Sequence, residues 1–120
     1  MHKFNPENIG RLIGEERERE LPPETFLIKH GLKEGMVFTD IGCGPGFFSI
    51  PAAKIVGNKG TVFAIDLQEE MLEEIKKRTA SQNIFFLKSE ENTIPIEDKK
   101  TDLLLLAFVL HETIDKVTFL

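Results

Sequence analysis

"TDIGCGPGFFSIP", residues 39–51, places glycines at positions 42, 44 and 46, directly after an apolar run and directly before a possible helix. The run before it, "MVFTDI" at residues 36–41, is bounded by Gly35 and Gly42 and suits a short buried strand. The run after it, "FFSIPAAKIVG", reads as a helix that begins near Phe47 and stops at Gly57. Pro51 constrains that helix, because proline is tolerated only in the first turn, where the missing N–H has no intrahelical partner. The helix therefore starts beside the glycines. Gly42 can supply a turn of positive φ, and Gly44 and Gly46 remove Cβ atoms that would hold a ligand away. The helix N-terminus beyond them offers unpaired N–H groups to something polar or anionic. A tight strand-to-helix turn with no ligand is the competing reading.

Strand and helix patterns alternate from this loop onward. "GTVFAIDL" (60–67) reads as a second strand after the "GNKG" turn, "NIFFLKS" (83–89) as a third and "DLLLLAFVL" (102–110) as a fourth. Between the second and third lies "QEEMLEEIKKR", a helix with Met71, Leu72 and Ile75 on one face and Glu73/Lys77 and Glu74/Arg78 four apart on the other. Strands that are continuous apolar runs are buried on both faces, so the sheet is expected to be parallel, with helices on each side. Upstream, "LPPETFLIKHGL" reads as a helix started by Pro22 and Pro23 and stopped at Gly31. The charged stretch before it, with "GEERERE" at 14–20, is expected to be a solvated helix or mobile arm. Two regions follow: residues 1–31 as arm and helix, and residues 32–120 as the domain that carries the loop.

Composition narrows the function classes. The 120 residues make one core, not two. The longest apolar stretch, residues 103–110, is too short to cross a bilayer, and the polar first twenty residues carry no secretory signal. Cys43, the single cysteine, excludes an intramolecular disulfide and a cysteine-based metal cluster, which suits the cytoplasm. A formal charge of −5 speaks against a broad nucleic-acid footprint. His111 and Glu112 alone are too few ligands for a metal.

A dinucleotide fingerprint, G-x-G-x-x-G/A, would want Gly or Ala at position 47, where Phe47 stands. "DIGCGPG" instead resembles motif I of the class I S-adenosylmethionine-dependent methyltransferases, in which an acidic residue ends the first strand and G-x-G-x-G follows. "AIDLQEEML" is similar to the family's acidic end of the second strand. "SEENTIPIEDKKTDLLLLAFVLHE" resembles the stretch around the fourth strand in the ubiquinone and menaquinone biosynthesis group. The resemblance spans residues 32–112. It implies an α/β, Rossmann-like open parallel sheet of order 3-2-1-4 with helices on both faces, incomplete beside the family's seven strands. It also implies S-adenosylmethionine as cofactor, S-adenosylhomocysteine as product and a small-molecule methyl acceptor, without nucleic acid or membrane.

Residue by residue, the resemblance puts Gly42, Gly44 and Gly46 against the methionine and ribose portions of the cofactor, and Asp40 at the loop or the methionine amino group. Asp66 would accept both ribose hydroxyls; capping the helix that starts near Gln68 is its other reading. Leu67 would pack on the adenine face, Glu90 would lie near the adenine amino group, Glu91 would offer its amide, and Ala107 with Phe108 would line the cofactor and substrate side. His111, with Glu112 beside it, is the candidate base for an acceptor that must lose a proton; a structural loop histidine is the alternative. Cys43 has no histidine partner at a sensible spacing and reads as a small buried residue.

Residue 120 arrives as "DKVTFL" starts what is expected to be another helix, so the chain reads as a fragment or truncated product. The fourth strand would then keep an open edge, which draws chains into homo-oligomers unless the N-terminal arm covers it. Besides a methyltransferase or its cofactor-binding part, a non-catalytic module and an NAD-type protein stay open.

Overall fold

A computed structural model of the chain describes residues 2–3, 12–14, 21–89, 94–96, 101–106 and 117–119. Two short strands come first, β1 (His2–Lys3) and β2 (Leu12–Gly14), and then helix α1 (Pro23–Lys29). Proline stands at the first helical position of α1, and Gly31, at φ 99°, ends it in a conformation that other residues rarely adopt. The run before the glycine loop is β3 (Val37–Ile41), and the run after it is α2 (Ser49–Val56). Pro51 is the third residue of α2, within the first turn. β4 (Thr61–Asp66), α3 (Glu69–Arg78) and β5 (Ile84–Lys88) follow, then β6 (Ile94–Ile96), β7 (Leu103–Leu106) and β8 (Val117–Phe119).

β5, β4, β3 and β7 lie side by side and parallel, which is the 3-2-1-4 order expected for the four predicted strands. A fifth member was not anticipated. β2 pairs parallel with β7, Leu12 opposite Leu104 and Gly14 opposite Leu106, in the slot beside the fourth strand where doubly wound sheets carry their fifth. The N-terminal arm therefore covers the edge that would otherwise invite association, and at Leu12–Gly14 the arm is strand, not helix or loose tail. Residues 15–20 lie outside the described residues. A second sheet, β1-β8-β6, corrects the helix expected at "DKVTFL": Val117, Thr118 and Phe119 are β-branched or aromatic and pair with Ile94–Ile96.

The sheet register sorts the core into two faces. Phe38, Val62, Ala64, Ile84, Leu103 and Leu105 share one face and pack with Phe26 and Leu27 of α1, Ala52, Ala53 and Val56 of α2, and Leu72 and Ile75 of α3. All three described helices cover that face. Residues of the opposite face, Thr39, Phe63, Ile65 and Leu104, are buried too; the expectation of helices on this second face falls outside the described residues. β5 departs from the expectation of two buried faces: Phe85 is exposed because β5 is a sheet edge.

Helix α3 follows its predicted stripe, with Leu72 and Ile75 buried and Met71 half-buried. Each fully buried side chain of that size contributes about 1.5–3 kcal/mol. Of the two predicted ion pairs, Glu74–Arg78 forms at 3.1 Å, while Glu73 meets Lys76 at 3.3 Å in place of Lys77. Both are exposed and add little. Asn83 does more for the fold, since its side-chain amide donates to the carbonyls of Ala53 at 3.0 Å and Gly57 at 2.9 Å and so caps the carboxyl end of α2 from the start of β5. Asn83→Ala removes one donor from each carbonyl, leaving Ala53 O with the Gly57 amide and Gly57 O with the Gly60 amide, and is expected to lower stability by about 1–2 kcal/mol. Urea denaturation at pH 7 measures this; an unchanged midpoint contradicts it.

Candidate functional site

The carboxyl ends of β3, β4 and β5 meet at one rim of the sheet, where ligands bind in open α/β folds. The glycine loop crosses this rim. Its path is set by β4: the amides of Gly42 and Cys43 both donate to Ile65 O, at 2.8 and 3.0 Å, and the amide of Gly44 donates to Asp66 Oδ2 at 2.9 Å. Gly42, Gly44 and Gly46 have φ of 75°, 56° and 97°, values that side chains strain to reach.

Gly44 and Gly46 serve different ends. A Cβ at Gly46 would meet Ile50 Cδ1 and Ile75 Cγ1 at 3.0 Å, so this glycine lets the loop close on α2 and α3. A Cβ at Gly44, itself buried, would meet nothing within 4 Å among the described residues, so this glycine serves the positive φ of the turn and not close packing. In the dinucleotide fingerprint the glycine needed for helix packing falls one residue later. Phe47, at that place, turns outward, 62% exposed and edge-on to Phe48 with ring centroids 5.2 Å apart. Phe48 in turn packs on Phe26, tying α1 to the loop.

Asp66 braces the start of the following helix, one of its two expected readings, and also holds the glycine loop, which was not expected. Oδ1 accepts the amide of Gln68 at 2.9 Å, bracing the start of α3, while Oδ2 holds Gly44. A carboxylate has about four lone-pair sites, so two remain for a diol. Asp66 is half-buried, and its own carbonyl accepts the amide of Ser89, which brings the end of β5 to the same place. Leu67 beside it is exposed.

Asp40 is fully buried. In the sheet register it stands between Ala64 and Leu105, so the neighbouring strands offer it only apolar side chains. Ser49 Oγ donates to its Oδ2 at 2.6 Å, and Oδ1 has no partner among the described residues. Burial pushes the Asp40 carboxyl from its ordinary 3.8 up to about 7; the Ser49 hydrogen bond works against that rise and the charge of Asp66 adds to it. Burial first, then the carboxylates of Asp40 and Asp66, push the Cys43 thiol far up, so it stays a neutral, inert small residue. Two carboxylates at one rim favour a cation. They disfavour an anionic pyrophosphate.

Sequence reasoning missed Ser49. Its signal is the spacing: it is the first residue of α2 and stands nine residues after Asp40, the penultimate residue of β3. Glu90, Glu91, Ala107, Phe108, His111 and Glu112 lie outside the described residues. Asp40, Gly42, Gly44, Gly46, Asp66 and Leu67 are brought together at the rim.

The raised Asp40 fixes a sign for stability. Between pH 4 and 7 the folded chain holds a proton there that the unfolded chain has lost, so this group's contribution to stability falls as pH rises through that window. Asp40→Asn is expected to make the ligand-free protein more stable than the unsubstituted protein at pH 8, with the gap closing by pH 5. Chemical denaturation at both pH values checks this, and a pH-independent gap counts against it.

Comparison with known proteins agrees with this geometry. The family described as "Methyltransferase domain" matches residues 38–119. A demethylmenaquinone methyltransferase of Staphylococcus aureus (strain MRSA252) is 36% identical over 86 residues, which cover 71% of this chain and 36% of that protein. The chain thus spans about a third of the length of the curated relatives it matches. Among solved structures, a SAM-dependent methyltransferase of Aquifex aeolicus is 43% identical with a TM-score of 0.67, covering 78% of this chain and 52% of that one. An S-adenosylmethionine-dependent methyltransferase of Mesorhizobium loti, at 21% identity and a TM-score of 0.56, covers 68% of this chain and 37% of that one and shares the fold.

Proposed function

Because this chain belongs to the class I S-adenosylmethionine-dependent methyltransferases, its methyltransferase domain beginning at the strand before the glycine loop, we propose that it binds S-adenosylmethionine at the rim of Asp40, the glycine loop and Asp66. The methyl group goes to a small-molecule acceptor. The observation that carries this reading is the pairing of the glycine loop, held by its Gly44 amide on the Asp66 carboxylate, with a second carboxylate, Asp40, buried at the same rim.

Each part of the cofactor has a match in the chain. The two free lone-pair sites of Asp66 suit the ribose hydroxyls, and Leu67 suits one face of adenine. The orphan Oδ1 of Asp40 suits the ammonium of the amino-acid portion. Glu90, Glu91 and Ala107 complete the adenine side in this reading. Bound there, the sulfonium supplies an activated methyl group that leaves as the acceptor's lone pair attacks carbon and the C–S electrons return to sulfur. What the chain contributes is orientation and a field that tolerates positive charge on the ligand. Where the acceptor carries a proton, His111 receives it, oriented by Glu112.

An acceptor of the quinol type fits the relative named as a demethylmenaquinone methyltransferase. No described helix is long and apolar enough to cross a membrane, and we assign the protein to the cytoplasm. A non-catalytic cofactor-binding role is the second reading. Transfer of an isotopic methyl group to a metabolite extract separates the two.

S-adenosylhomocysteine is expected to raise the melting temperature by several degrees and NADH to leave it unchanged. Asp66→Ala should weaken S-adenosylhomocysteine binding at least about tenfold, the loss expected for a charge-assisted pair. Stabilisation by NADH alone, or unaltered affinity in Asp66→Ala, overturns the assignment.

A further inference from the structure

We propose that Ser49 is a positioning residue for this site: its hydroxyl holds the Asp40 carboxylate in one orientation and in its charged form, ready for the ligand's ammonium. The inference rests on the cofactor reading above and adds to it a residue that touches no ligand.

Three observations support it. Ser49 Oγ lies 2.6 Å from Asp40 Oδ2, a length typical of a hydroxyl donating to an ionised carboxylate. Both residues have no exposed surface, and Ser49 opens α2, so its hydroxyl is held by a helix and not by a mobile loop. Asp40 Oδ1 is buried without a partner among the described residues, an arrangement that costs free energy until a donor arrives.

The groups around Asp40 leave this task to Ser49. Ala64 and Leu105 flank it in the sheet, and the Cys43 thiol nearby stays protonated. Asp66 across the loop repels a second negative charge. Among these neighbours the Ser49 hydroxyl alone favours the anion. Removing it lets the carboxyl keep its proton to higher pH, and a protonated Asp40 pairs poorly with an ammonium.

The test reads Asp40 with and without ligand. In protein carrying 13C-carboxyl aspartate, the Asp40 resonance, identified by its loss in Asp40→Asn, is titrated without ligand. Ser49→Ala is expected to move the midpoint upward by about one unit, which corresponds to a tenfold change in the ionisation constant. S-adenosylhomocysteine affinity, measured by calorimetry from pH 6 to 8.5, should fall about five- to tenfold in Ser49→Ala at pH 6.5 and return to within about twofold at pH 8.5. Ser49→Thr, which keeps the hydroxyl, should follow the unsubstituted protein. An unmoved midpoint, or a loss of affinity equal at every pH, overturns the role of Ser49. If the unsubstituted protein binds no S-adenosylhomocysteine at any pH, the cofactor reading fails instead, and the ligand-free titration tells the two failures apart.

Discussion

The carboxylate of Asp66 holds two peptide N–H groups at once, Gly44 of the loop and Gln68 at the start of α3. With Ile65 O taking the amides of Gly42 and Cys43, it hangs the whole glycine loop from the end of β4. The loop has no regular backbone ladder of its own to keep it at the rim. Because each Asp66 oxygen spends one lone pair on the backbone, the group that shapes the loop still has capacity for a ligand.

Asp40 works in the opposite way. Among the described residues its surroundings give it little: no exposed surface, apolar neighbours in the sheet, one oxygen with a donor and one without. A stability-driven design would put an aliphatic residue there. Such unspent electrostatic potential is common at binding sites, since strain in the free protein is relieved by the ligand. The inert Cys43 beside it belongs to the same negative environment.

Around the site, the sheet handles its two edges differently. β7 is closed by β2, a strand from the far end of the sequence, whereas β5 stays an edge and exposes Phe85. The slot beside β7 accepts any short apolar strand of the right direction, because Leu104, Leu105 and Leu106 present backbone groups with no sequence code of their own. The arm's charges hid the short "LIG" within it.

Local features were legible from the residues themselves. Three glycines fixed where φ turns positive, Pro51 fixed the start of α2, and the spacing of Leu72 and Ile75 fixed the buried face of α3. Each of these depends on backbone sterics or helical period within a few residues, and so did the strand before the loop. The 3-2-1-4 order was legible only through resemblance. Hidden were the contacts that span long separations: Asn83 on the carbonyls of Ala53 and Gly57, Thr39 against Thr101 at 3.1 Å, β2 on β7, and β8 drawn into a second sheet. The chemistry divides along the same line. That Asp40 and Asp66 lie at the carboxyl ends of adjacent strands, Asp40 one residue before the last, can be read from the pattern. Their characters cannot, because one is stripped of water with Ser49 as its sole donor among the described residues and the other is half-solvated between two amides, and desolvation is a property of everything packed around a group.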